Sequence, residues 1–294
     1  MITPLIEYSN NLLVKMEIFN ASGNHKVRAA RQIISSGIER GEIVPNETTV
    51  IEKTGGNFGF GLISACQEFN VDLHLAVSLG FSKIKRQCLE NLGATLIGKD
   101  LLAGGKTPKE VVEYPIENQE SMERKYFFTD QFNNIDSLNG HINTTGPEIA
   151  NQLKKITDRK DIYFVSCAGT GASLMGINEA LSREGYSVEV CLVEPDGCNS
   201  KDNTFTDHRF EGMSVGVVPP FIKWEVIKDH TFVNQQRMLD AKKKFFLEYG
   251  QFLGNTSSAC FHVASEALKR EPDRPTLMIA YDHGLWYPEM VSKN

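Results

Sequence analysis

Short apolar runs alternate with stretches in which apolar residues recur every three or four positions, along nearly the whole chain. Runs rich in β-branched residues predict strands at 48–54 (TTVIEKT), 72–78, 94–98, 125–130, 161–169 (DIYFVSCAG), 188–196 (VEVCLVEPD) and 276–282. Helical periodicity predicts helices near 26–41, 57–69, 83–92, 107–114, 148–156, 171–184, 234–249 and 257–269. A strand buried on both faces reads as a continuous apolar run, so this alternation predicts an α/β fold with parallel sheets covered by helices. The most polar stretch, PIENQESMERK at 115–125, reads as a surface connection.

Composition narrows the possibilities for such a fold. The chain has 294 residues, 41% hydrophobic and 23% charged, enough for one large domain or two lobes around a cleft. A net charge of -6 is unlike a nucleic-acid surface or a basic membrane-binding face. Spanning a bilayer takes roughly 20 apolar residues in a row, and no run approaches that. The start, MITPLIEYSNN, lacks the basic and apolar regions of a secretion signal. Six cysteines without CxxC spacing read as reduced thiols of a cytoplasmic protein, and the seven histidines show no ligand spacing, so no metal is expected.

Ligands of parallel α/β folds gather beyond the carboxyl ends of the strands. Two predicted strands run through glycine-containing loops straight into a helix: TGGNFG at 54–59 and GTGAS at 169–173. Each sets backbone N–H groups at a helix N-terminus, where the dipole favours an anion. Neither loop carries the GK[ST] ending of a Walker sequence, and GTGAS is not a GxGxxG fingerprint. Alone, such a turn serves tight packing as often as anion binding. A third feature is NASGNHKVR, where a polar run enters a helix at Lys26. A cation there opposes the helix dipole, so Lys26 either points into water or faces something anionic or covalent.

The ordered set NASGNHKVR, TGGNFG, QF, HINTTGPEI, GTGAS, EGMSVGVVPPF, GNTSSA and DHG resembles the pyridoxal-phosphate enzymes related to cysteine synthase and cystathionine β-synthase. The resemblance runs from about residue 4 to residue 287. It implies the fold type II architecture, similar to the tryptophan synthase β chain: two lobes with parallel-type sheets flanked by helices. A large cofactor-binding lobe would comprise 1–31 and 136–294, and 32–135 would form a small mobile substrate lobe. The cofactor would be pyridoxal 5'-phosphate and the assembly a homodimer.

The resemblance also assigns roles. Lys26 would be the catalytic lysine joined to the cofactor aldehyde, which requires an amine able to lose its proton. Asn57 would bond the cofactor ring oxygen, a position that also suits a helix N-cap. Gly169, Thr170, Gly171, Ala172 and Ser173 would cradle the phosphate, with Gly212 lining the cofactor. Thr256, or its neighbour Ser257, would face the pyridine nitrogen, with helix capping as the plain alternative for both. Thr54, Gly55, Gly56, Phe58 and Gln131 would bind the substrate carboxylate. His25 would sit by the phosphate or merely precede the helix.

Several positions depart from the family pattern. Gly55 stands for a serine, Phe58 for a threonine, Ser214 for a glycine and His283 for a serine. The implied activity is β-replacement or β-elimination on a serine- or cysteine-type amino acid, through an aminoacrylate and with a small nucleophile, at altered specificity. A threonine-synthase- or dehydratase-like lyase, and a non-catalytic binding protein of the same fold, stay open.

Overall fold

Among the described residues every strand pairing but one is parallel. The computed structural model describes residues 2–9, 11–121 and 124–287. The strands are β1 (Leu5–Ser9), β2 (Leu12–Lys15), β3 (Thr48–Glu52), β4 (Asp72–Leu75), β5 (Thr95–Leu96), β6 (Lys125–Phe128), β7 (Asp161–Cys167), β8 (Ser187–Pro195), β9 (Ile227–Val233) and β10 (Thr276–Ile279). The helices are α1 (Lys26–Glu39), α2 (Asn57–Phe69), α3 (Lys83–Asn91), α4 (Lys99–Ala103), α5 (Pro108–Glu117), α6 (Asp136–Gly140), α7 (Gly146–Leu153), α8 (Ala172–Arg183), α9 (Gln235–Tyr249) and α10 (Asn255–Arg270).

The chain forms two units, Met1–His25 with His141–Asn294, and Lys26–Gly140. The larger holds a six-stranded sheet in the order β1-β2-β10-β7-β8-β9, the smaller a four-stranded sheet in the order β5-β4-β3-β6. Strands β7, β8 and β10 fill the larger core with Phe164, Val165, Leu192, Val193, Leu277 and Met278, all fully buried. In the smaller core Ile51 and Ala76 meet Val111 and Val112 of α5. Burying each such side chain contributes roughly 1.5–3 kcal/mol. The whole of α1 groups with the smaller unit, where it packs on α2 and α6; the expected division lay at residue 32.

Elements absent from the sequence reading are β1, β2, β9, α4 and α6. In β2 all four residues are buried, including Lys15, whose ammonium donates to Thr3 O (2.6 Å), Glu148 (2.9 Å) and Gln152 Oε1 (3.0 Å). A buried lysine disguised this strand. Strand β9, IKDHTFV, lies at a sheet edge and carries four polar residues in a row, Lys228 to Thr231, which blunts the apolar signal. The connection expected at 115–125 starts later than the sequence suggests, since α5 runs through Pro115 to Glu117. Pro115 is buried and α5 is anchored by a Thr107–Glu110 capping box, so packing outweighs one lost helical hydrogen bond. Within that connection residues 122 and 123 lie outside the described residues.

Candidate active site

In the smaller unit α1 begins at Lys26 and α2 at Asn57. The two helices touch at Gly61, where a Cβ would lie 2.9 Å from Val27 N and 3.0 Å from the Lys26 carbonyl carbon. Asn57 and Gly61 are four residues apart and so share a face of α2. Asn57 therefore lies on the face of α2 that meets the first turn of α1. The N-cap of α2 is Gly56, which leaves Asn57 one residue inside the helix and removes the capping reading. A second glycine, Gly140, lets α6 approach the other side of that turn, with a Cβ position 2.6 Å from Arg28 O. Lys26 is half-buried.

The loop 54–58 leaves β3 and enters α2. At Gly55 a Cβ would meet Val77 Cγ1 at 2.5 Å and Phe81 Cδ1 at 2.9 Å, so neighbouring side chains fill the space a serine would need. Phe58 is only 2% exposed, with its ring buried. Gln131 follows β6, and its carbonyl accepts from Ser137 Oγ at 2.9 Å. Beneath both loops lies Glu52, the last residue of β3, at 1% exposure. Its Oε1 accepts from Lys53 N (2.8 Å), and its Oε2 accepts from Thr129 Oγ1 (2.6 Å) and Gln131 N (3.2 Å). Burial pushes this carboxyl above the usual range, and the three donors work against that rise.

In the larger unit β7 runs through 168–171 into α8, with Gly171 as N-cap at φ +85. That conformation suits glycine, and a Cβ there would strike Ile222 Cγ1 at 2.9 Å. At Gly169 a Cβ would meet Gly212 O at 2.6 Å, so the segment around Gly212 closes one side of the turn. Thr170 Oγ1 accepts from Ala172 N at 3.2 Å, which ties two of the expected phosphate donors to each other. Thr170 and Ala172 are buried; Ser173 is partly exposed.

Ser214 N donates to Ala168 O at 3.0 Å, and Ser214 Oγ donates to Glu194 Oε1 at 2.6 Å. Glu194, the penultimate residue of β8, also accepts from Ser200 Oγ, from Ser200 N (2.9 Å) and from His230 Nε2 (2.6 Å). Burial raises its pKa, yet the hydrogen bonds from His230, Ser200 and Ser214 prevail and hold it at about 2.

Helix α10 opens with Gly254 as N-cap, so neither Thr256 nor Ser257 caps it. Ser257 Oγ accepts from Tyr281 N at 2.9 Å. The Tyr281 hydroxyl meets Ser166 Oγ at 2.7 Å and accepts from Cys167 N at 3.3 Å, just before the glycine turn. Tyr281 O accepts from His25 N at 2.9 Å, and the two rings lie edge-on with centroids 4.8 Å apart. His25 thus sits against Tyr281, with His141 5.9 Å away on centroids. One tyrosine links the start of α10, the end of β7 and the residue before Lys26. His283 Nδ1 accepts from Leu285 N at 3.2 Å, an ordinary loop cap. Glu52, Glu194 and Tyr281 escaped the sequence reading. The usable signal was a carboxylate closing an apolar strand, as in TTVIE and VCLVEP.

The smaller unit sets a lysine and an asparagine at abutting helix starts, and the larger carries a glycine turn at a helix N-terminus. The chain belongs to the pyridoxal-phosphate dependent enzyme family, whose profile matches residues 2–282. It is 28% identical to a probable cysteine synthase of Bacillus subtilis (strain 168), over 97% of this chain and 93% of that one. Its fold is similar to that of an O-ureido-L-serine synthase, with a TM-score of 0.87 and 22% identity over 99% of this chain and 94% of that one. It is also similar to an O-acetylserine dependent cystathionine beta-synthase from Helicobacter pylori, with a TM-score of 0.82 and 25% identity over 98% and 94%.

The residues present suit that cofactor. Lys26 offers an amine at a helix start, the turn at 169–171 is shaped so that Cβ atoms would collide, and Thr256 has a hydroxyl not spent on capping.

Proposed function

We propose that this enzyme exchanges or eliminates the β-substituent of a serine- or cysteine-type amino acid. The observation that carries the reading is the abutment of α1 on α2 at Gly61, which sets Lys26 and Asn57 at neighbouring helix starts. Bound pyridoxal phosphate supplies an electron sink that acidifies the substrate α-carbon and lets a β-substituent leave. Lys26 Nζ would hold the cofactor aldehyde and would move the proton at the substrate α-carbon. Gly169, Thr170, Gly171, Ala172 and Ser173 hold the phosphate at the N-terminus of α8, and Gly212 walls that turn. Asn57 would bond the cofactor ring oxygen. Thr256 would meet the pyridine nitrogen with a hydroxyl, which does not protonate it as a carboxylic acid would, and so would favour β-chemistry over transamination. Thr54, Gly55, Gly56, Phe58 and Gln131 bind the substrate carboxylate, which makes Lys26–Gly140 the substrate unit.

The relatives named for cysteine and O-ureido-L-serine synthesis support a serine-derived substrate and a small nucleophile. Six free cysteines suit a reducing cytoplasm, and among the described residues no helix is long and apolar enough to cross a membrane. The family resemblance supports a homodimer, which sedimentation would test. The test of function is incubation of the cofactor-loaded protein with O-acetylserine and sulfide, with L-serine, with L-cysteine and with O-phosphohomoserine. Cysteine formation is expected from the first, and Lys26→Ala is expected to lose both the visible absorbance band and turnover. Turnover of O-phosphohomoserine alone would favour the threonine-synthase reading. Failure to bind pyridoxal phosphate would sink the enzyme reading.

A further inference from the structure

The Glu52 side chain meets Lys53, which leads into the loop 54–58, and the loop that carries Gln131. From the loop after β3 comes Lys53 N at 2.8 Å; from the loop after β6 come Thr129 Oγ1 at 2.6 Å and Gln131 N at 3.2 Å. Two of the partners are backbone N–H donors and the third is a hydroxyl, so both carboxyl oxygens are hydrogen-bonded. At 1% exposure it gains nothing from water. A buried carboxylate with three well-placed donors is costly to disturb, because each donor left unmatched keeps its full desolvation penalty. Glu52 is anchored by its own backbone as well, its carbonyl accepting from Ala76 N at 2.9 Å, one residue before Val77, which fills the space beside Gly55.

We infer that Glu52 is a positioning residue for substrate recognition: it fixes the separation between the loop 54–58 and Gln131, and so the geometry in which a substrate carboxylate is received. The inference rests on the reading of those two loops as the carboxylate-binding elements. Glu52 itself does not meet the substrate. Its carboxyl takes up Lys53 N and Gln131 N, so these two amides brace the loops while the residues at 54–58 and the Gln131 side chain are left for the substrate carboxylate. A shorter or neutral side chain spans the two loops incompletely: glutamine turns an N–H2 toward one set of donors, and aspartate lacks the reach.

The test uses the cofactor-loaded full chain and two probes that differ by one carboxylate, L-alanine and ethylamine. Neither carries a β-leaving group, so visible-absorbance titration reads binding without turnover. The wild-type protein is expected to prefer L-alanine. In Glu52→Gln that preference falls about tenfold, as expected for a weakened hydrogen-bonded contact to a charged group, while ethylamine binding and cofactor absorbance hold. Thr129→Val, which removes one donor and keeps the carboxylate, lowers the preference by a smaller factor and serves if Glu52→Gln does not fold. Equal loss of both probes would show a merely structural role and overturn the inference, as would an unchanged preference in both variants. A wild-type protein without any preference for L-alanine would instead overturn the assignment of the two loops.

Discussion

Ser214 donates its hydroxyl to Glu194 at 2.6 Å while its own backbone sits in the left-handed region at φ +48. A residue with a Cβ is strained in that conformation, and the family pattern has glycine there. The hydrogen bond to a buried carboxylate offsets the strain. Ser214→Ala keeps the strain and loses the bond, so it should destabilise the protein by about 1.5–3 kcal/mol. Ser214→Gly loses the same bond but recovers about 1 kcal/mol of backbone strain, so it should be the milder change. Urea unfolding of the two variants gives the order, and a glycine variant less stable than the alanine variant would contradict it.

Glu194 carries a pH dependence of known sign. Its carboxyl is held at about 2 against an ordinary 4.5, so its contribution is complete above 4.5 and is lost as pH falls toward 2. The stability gap between wild type and Glu194→Gln should therefore be largest at neutral pH. It should shrink by on the order of a few kcal/mol between pH 4.5 and pH 2. Unfolding midpoints at a series of acid pH values measure this directly. A gap that does not change with pH would show that the charge on Glu194 contributes nothing.

Gly61→Ala tests the seam between α1 and α2. Alanine in a helix interior ordinarily gains up to about 1 kcal/mol over glycine. Here the added Cβ would lie 2.9–3.1 Å from Val27 N, Lys26 C and Lys26 O, and backbone atoms of a neighbouring helix cannot swing aside. Overpacking should win, with a net loss of about 1–3 kcal/mol. Because the displaced atoms belong to Lys26, retention of the cofactor should fall as well. Thermal unfolding of the cofactor-free protein and the visible absorbance of the loaded one separate the two effects.

Gly55→Ser restores the family residue but meets Val77 and Phe81. Alone it should destabilise the smaller unit by about 1–3 kcal/mol. Combined with Val77→Ala, the new Cβ occupies the vacated space, and the two changes should be coupled by at least about 1 kcal/mol. The double variant should also show a lower KM for O-acetylserine than Val77→Ala alone, since a hydroxyl donor returns to the loop. Strictly additive effects would mean that Val77 does not decide the residue at 55.

Most of this organisation could be read from residue patterns. Strands β3, β7, β8 and β10 announced themselves because both of their faces are buried, and the range of α2, 57–69, agrees with its periodicity. The glycine turns and Lys26 stood out because each breaks a local rule. What escaped depends on partners distant in sequence. Lys15 looks like a surface residue until Glu148 and Gln152 meet it, and Glu52 looks like a strand end until Thr129 and Gln131 arrive. Gly55 and Phe58 read as lost hydroxyls, whereas Gly55 is dictated by Val77 and Phe81 and the Phe58 ring belongs to the buried interior.

The place of β2 in its sheet bears on the order in which a growing chain can fold. Strands β1 and β2 leave the ribosome before the other eight, and these two can pair at once. The other edge of β2 belongs to β10, which begins only at Thr276. All four strands of the smaller sheet are complete by Phe128, so that sheet can close while the hairpin still waits. During most of synthesis β2 offers an open strand edge lined with Leu12, Leu13 and Val14, the kind of surface that pairs with the wrong neighbour. The pairing of residue 12 with residue 276 thus leaves one edge of β2 without its neighbour until nearly the whole chain has been made.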